Sequence, residues 1–104
     1  MTDTTNREML ELAAKAAGYS FKWGKDWHDK GAPLVDDKLW NPLDDDGDNR
    51  RLQVDLKIEL IITDQSANAC FDGVFYSEPL GKGARKAARR AVVRAAVEIG
   101  KGMK

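Results

Sequence analysis

From Ala84 to Ile99 small apolar residues recur at helical spacing: Ala84, Ala88, Ala91, Ala95 and Ile99 form one narrow stripe with Val92 beside it. Residues three and four apart share a helix face, and alanine lets the backbone behind it approach another layer closely. The spacing predicts a helix over 83–99 lying flat across a sheet, ended by Gly100 or Gly102. No other segment constrains the fold as much. A close-packed helix needs a flat partner, and the remaining chain must supply it.

The N-terminal segment predicts a second helix, over 6–17. Thr5 and Glu8 have the spacing of a capping box, Met9, Leu10, Leu12, Ala13, Ala14, Ala16 and Ala17 form an apolar arc, and Gly18 supplies the stop. Between the helices the period shortens. Tyr19, Phe21 and Trp23 alternate with Ser20, Lys22 and Gly24, which predicts a short strand with one aromatic face. Leu34-Val35 suggests another short strand, ended by a turn at Asp36-Asp37. Leu52, Val54, Leu56, Ile58, Leu60 and Ile62 alternate with Arg51, Gln53, Asp55, Lys57, Glu59 and Ile61. That period of two favours a strand, with a helix from Asp48 to about Leu56 feeding a strand at 58–63 as the alternative. After a turn at 64–66, residues 68–76 read as the returning strand, bent or bulged at Asp72-Gly73. The expected fold class is α+β: a small antiparallel sheet of three to four strands, with N- and C-terminal helices packed on one face. At 104 residues the whole chain, 1–104, is expected to form a single compact domain, frayed at 1–5 and 101–104.

Charge is unevenly placed. Residues 82–104 hold eight Lys and Arg against the single Glu98, a net +7, and residues 1–81 carry −7. The simplest purpose is mutual neutralisation, and the alternative is a basic face left open for a polyanion. Cys70 is the only cysteine, so no intramolecular disulfide is possible and a reducing cytoplasm is the expected compartment. The opening MTDTTNREM lacks an apolar stretch, and no window reaches the length of a membrane span.

The stretch WNPLDDDGDNRRL (residues 40–52) is the most polar in the chain and suggests calcium. Its spacing does not fit an EF-hand loop. With Gly47 at the glycine position, Pro42 falls where the first Asp belongs and Gln53 where a bidentate Glu is required. A structural role fits better: Trp40 and Leu43 anchor a loop, Pro42 keeps Asn41 extended, and Asp46-Gly47 or Gly47 alone turns the chain. His28 and Cys70 are single residues of their kinds, too few for structural zinc, and neither has a neighbouring base or orienting group at catalytic spacing. No phosphate-cradling glycine loop is present in the sequence. The chain is therefore expected not to be an enzyme and to need no cofactor and no metal.

One functional signal remains. On a helical wheel Lys82, Lys86, Arg89, Arg90, Arg94 and Lys101 spread over an arc of about 140°, beside Arg85 and opposite most of the alanine stripe. Val93 and Val97 interrupt that arc, either as minor packing residues or as part of a mixed apolar and basic contact. The candidate contact set is Lys82, Arg85, Lys86, Arg89, Arg90, Val93, Arg94 and Val97. It suits a protein partner or, alternatively, a nucleic acid held by its phosphates. Oligomeric state is open at this level.

Two resemblances bear on the choice. The segment GKGARKAARRAV resembles the start of the second helix of double-stranded-RNA-binding domains, with Arg85, Lys86, Ala88 and Arg89 matching a phosphate-contacting motif by residue class. The Gly-Pro-x-His turn of those domains is missing. Over more of the chain, Trp40, Asn41, Pro42, Leu43, Gly47, Asp48 and Leu52, with Arg89, Arg90, Ala91, Val93, Arg94, Ala95 and Ala96, resemble a family of small uncharacterised proteins of tailed phages and prophages. That likeness implies a phage or prophage origin and the host cytoplasm as working place. The expected role is a non-catalytic accessory protein that binds a phage or host protein, with nucleic acid, double-stranded RNA included, as the alternative.

Overall fold

A computed structural model describes residues 5–24, 31–81 and 83–103. The N-terminal helix α1 runs Asn6–Ala17. Thr5 caps it, accepting from the Glu8 backbone N–H at 3.1 Å, while its hydroxyl donates to the Glu8 carboxylate at 3.0 Å. Gly18, at φ 73°, closes it by donating to the Ala14 and Lys15 carbonyls.

Strands β1 (Phe21–Gly24), β2 (Ala32–Val35) and β3 (Lys38–Leu39) follow as an antiparallel sheet in that order. Asp36 and Asp37 turn the β2–β3 hairpin, both at positive φ, as a two-residue turn of matching twist requires. The aromatic face expected of β1 is present. Phe21 meets Trp23 and Trp40 edge-on, with ring centroids 5.2 and 6.0 Å apart, and Tyr19 meets Trp40 at 5.7 Å.

The segment read first as the start of a long strand is instead the helix of the alternative reading, α2, Asp46–Leu56, followed by a strand. Its cap decides this. The Asp45 carboxylate accepts from the Asp48 N–H at 2.8 Å, and Asp46 and Asp48 lie in the first turn, where negative charge complements the helix dipole. Leu52 is fully buried on the inner side, while Val54, which the alternation placed in the core, is 62% exposed. Gly47 sits inside the first helical turn and does not turn the chain. Lys57, in the left-handed region at φ 57°, ends the helix.

A second antiparallel sheet contains β4 (Glu59–Ile62), β5 (Ser66–Phe71) and β6 (Val74–Pro79), paired in chain order. The stretch read as one bent strand is thus a hairpin, with Asp72 and Gly73 at positive φ forming its tip. The α+β class holds, but two three-stranded sheets stand where one was expected, and the helices do not share one sheet face. The C-terminal helix α3, Ala84–Lys101, packs against β5 and β6 and also against α1 and α2, while α1 packs chiefly on α3.

This central position explains the alanines. Ala87, Ala88, Ala91, Ala95 and Ala96 are buried with Val92, Val93 and Val97, so apolar residues surround the middle of α3. Ala67 and Ala69 of β5 face them, and Met9, Leu10, Ala13 and Ala14 of α1 join the core together with Trp40, Leu52 and Ile58. Gly102 caps α3, and Gly100 serves another purpose. A Cβ there would lie 2.2 Å from the Leu12 carbonyl oxygen, so glycine lets α1 and α3 touch backbone to backbone. Among the described residues no helix is long and apolar enough to cross a membrane.

Candidate functional site

The polar stretch after Trp40 folds into a bracket between α2 and α3. Trp40 and Pro42 are buried and Leu43 is half-buried, while Asp44, Asp45 and Asp46 are exposed. Each acid has a local task. Asp44 accepts from the Asn41 amide at 3.2 Å, Asp45 caps α2, and Asp46 pairs with Arg89 at 2.7 Å. Asp48 accepts from the Asn41 backbone N–H at 2.9 Å and from Arg51 at 2.7 Å, and that bond to Asp48 raises the Arg51 pKa. Among the described residues no three His, Cys, Asp or Glu side chains are grouped to hold a metal ion. Asn49, at the centre of the bracket, went unnoticed in the sequence. It is a buried amide that donates to the Pro42 carbonyl at 2.8 Å and the Arg89 carbonyl at 2.9 Å.

The candidate contact residues of α3 separate into three groups. Val93 and Val97 are 0% and 4% exposed, so they belong to the core and present nothing to a partner. Arg89, Arg90 and Arg94 are half-buried and turn toward the protein's own acceptors. Arg89 donates to the Leu43 carbonyl at 2.9 Å and to Asp46; Arg90 faces Glu78 at 3.6 Å; Arg94 pairs with Glu78 and donates to the Ser77 carbonyl at 2.9 Å. Long arginine stems run over apolar surface and carry the charge outward, which lets a basic arc sit on a buried helix. Arg85 and Lys86, in the first turn, are exposed and have no ion pair among the described residues. Lys82 and His28 lie outside the described residues.

The acidic body therefore meets the basic segment directly, through Asp46 and Glu78. Tyr19 joins the first sheet to α2 by donating a short hydrogen bond to Asp55, and burial together with that bond raises its pKa. Beside it a groove of about 610 Å³ is lined by Glu8, Glu11, Leu12, Lys15, Tyr19 and Phe21.

The second sheet has two unlike faces. Ala67 and Ala69 point at α3. On the opposite face the register sets Ile61, Asn68 and Ser77 in one row and Glu59, Cys70 and Phe75 in the next. Ser77 and Asn68 share a hydrogen bond of 2.5 Å, and Ile61 and Phe75 are 45% and 58% exposed. One signal of this face was legible: Ile61 occupies a position that the alternation assigned to a polar residue.

This chain matches no protein-family model, and neither the curated proteins nor the solved structures contain a significant match to it. What defines its class is the architecture itself: an α+β domain built around a central alanine-rich helix, with one sheet face left open by the described residues.

Proposed function

We propose that the protein is a non-catalytic accessory protein that binds another protein through the outer face of β4–β5–β6. The observation that carries this is the exposure of Phe75 and Ile61 around Cys70, on a face where α3 is absent. Exposed aromatic and branched apolar side chains beside hydrogen-bonding groups are what a protein interface uses. Asn68 and Ser77 supply the polar component. The motifs around Trp40 and Arg89 support a phage or prophage origin, and with it work in the host cytoplasm on a phage or host partner.

A second reading keeps a specific observation. Arg85 and Lys86 are exposed at the start of α3 with no ion pair among the described residues, which favours phosphate contact by nucleic acid.

A pull-down from infected host extract, repeated after nuclease, separates the two. The protein reading expects a partner that survives nuclease and is lost on Phe75→Ser but not on Arg85→Glu with Lys86→Glu. A partner that disappears with nuclease, or with the charge reversals alone, supports nucleic acid. Binding to duplex then weakens with salt at a log–log slope of roughly −0.9 per phosphate neutralised.

A further inference from the structure

The two edges of the second sheet are treated differently. In an antiparallel pair, residues alternate between exchanging bonds with the neighbouring strand and turning their N–H and C=O away from it. At the β5–β6 turn Phe71 and Val74 close the hairpin, so Phe75, Ser77 and Pro79 turn outward on β6. That edge is guarded over most of its length. Arg94 occupies the Ser77 carbonyl, Pro79 has no N–H, and the charged Glu78 stands between them.

The β4 edge is not. The Thr63 N–H donates to Ser66 at 2.9 Å and closes the β4–β5 hairpin, which turns Glu59 and Ile61 toward β5 and Ile58, Leu60 and Ile62 outward. Gln53 of α2 satisfies Ile58, its side chain donating to the Ile58 carbonyl at 3.1 Å and its carbonyl accepting the Ile58 N–H at 3.0 Å. Leu60 and Ile62 have no such partner among the described residues. Consecutive side chains on this strand point to opposite faces, yet Ile61 is 45% and Ile62 52% exposed. Exposure on both faces at once belongs to the edge, and a strand laid along it covers both.

We propose that β4 pairs antiparallel with β4 of a second copy of this chain, centred on Ile61, to give a continuous six-stranded sheet. The register follows from the open groups. Only a two-fold axis at Ile61 sets Leu60 opposite Ile62 of the second copy and Ile62 opposite its Leu60, so that both open residues of each copy exchange their backbone bonds. Centring on Leu60 would require Ile58, which Gln53 occupies, and centring on Ile62 would leave Leu60 opposite Asp64. The side chains agree with the Ile61 register. Ile61 meets its own copy on the outer face, Leu60 meets Ile62 on the inner, and Glu59 falls opposite Thr63, so no like charges face each other. This inference does not depend on the protein partner proposed above.

The test is molar mass by light scattering across a concentration series, with circular dichroism and thermal melts on each variant. Wild type is expected to show a concentration-dependent dimer. Ile62→Pro removes half of the intermolecular backbone bonds while breaking none within the subunit, and is expected to weaken the dimer at least about tenfold. Ile61→Lys, which opposes two ammonium groups, is expected to give a folded monomer. In a Cys70→Ser background, Ile61→Cys should cross-link to itself under mild oxidation. Glu59→Cys should cross-link with Thr63→Cys and not with itself. Wild type that stays monomeric at all concentrations leaves the edge to a foreign strand or to solvent and overturns the proposal, as does a dimer that survives both Ile61→Lys and Ile62→Pro.

Discussion

The side-chain amide of Asn49 donates to the Arg89 carbonyl at 2.9 Å, while the Arg89 guanidinium donates to Leu43 at 2.9 Å and to Asp46 at 2.7 Å. Each residue thus holds the other's segment, and together they lock the Trp40–Asp48 bracket and α2 onto α3. Because Asn49 also donates to Pro42, one buried NH₂ group satisfies two carbonyls from separate parts of the chain.

Asn49→Leu should therefore destabilise the fold even though it adds apolar volume. It leaves the Pro42 carbonyl without a donor, at about 1–3 kcal/mol for a buried unsatisfied group, and strips the Arg89 carbonyl of its second bond beyond the helical one. Urea unfolding monitored by tryptophan fluorescence measures it. A change below about 0.5 kcal/mol would show that Asn49 does not bind the layers together.

Gly100 and Gly102 should respond unequally to alanine. At Gly100 the new methyl meets backbone, the Leu12 carbonyl oxygen at 2.2 Å, and α1 and α3 must separate. Overpacking of this kind costs about 1–3 kcal/mol. Gly102 sits at φ −80° with its nearest neighbour 3.5 Å from a Cβ, so Gly102→Ala should change stability by no more than about 0.5 kcal/mol. Paired thermal melts of the two variants distinguish a close-approach glycine from a terminal one.

The acidic run should divide by position. Trp40→Ala empties a buried site that two aromatic rings flank and should cost about 3–5 kcal/mol. Asp45→Ala removes the α2 cap and should cost about 1 kcal/mol. Asp44→Ala loses only an exposed bond to Asn41 and should change little. Equal effects at Asp44 and Asp45 in chemical denaturation would contradict the capping role.

Tyr19 should contribute an alkaline limit to stability. Burial, and then its bond to Asp55, raise its folded pKa above the ordinary 10.0, so the folded state holds the phenolic proton more tightly than the unfolded state. The contribution is fully present below about pH 10 and is lost as pH rises through the folded value. Tyr19→Phe should flatten the decline of melting temperature above that pH relative to wild type. Identical slopes for the two proteins would remove Tyr19 from the account.

The sequence by itself determined α1, with its Thr5 cap and Gly18 stop, because these signals act within one turn of chain. It also determined a helix of small residues made for close approach over 83–99, observed as Ala84–Lys101, and that Trp40 and Leu43 anchor their loop; the burial of Pro42 was not part of that reading. Tertiary structure decided the rest. At 51–57 the period of two was genuine as a pattern, but the Asp45 cap and the place of Leu52 against α3 selected a helix, in which Val54 faces water. For α3 the wheel left the basic arc open between internal neutralisation and a partner, and Val93 and Val97 open between packing and contact. The layers on both sides buried Val93 and Val97 within that arc and drew Arg89, Arg90 and Arg94 to Asp46 and Glu78. The division of the strands into two sheets, and the open β4 edge, depended on which residues pair across space. Local patterning states which residues prefer burial or a helical turn, because those preferences act between near neighbours. Which surface buries them is set by contacts between residues far apart in the chain, and a periodicity carries no record of its partner.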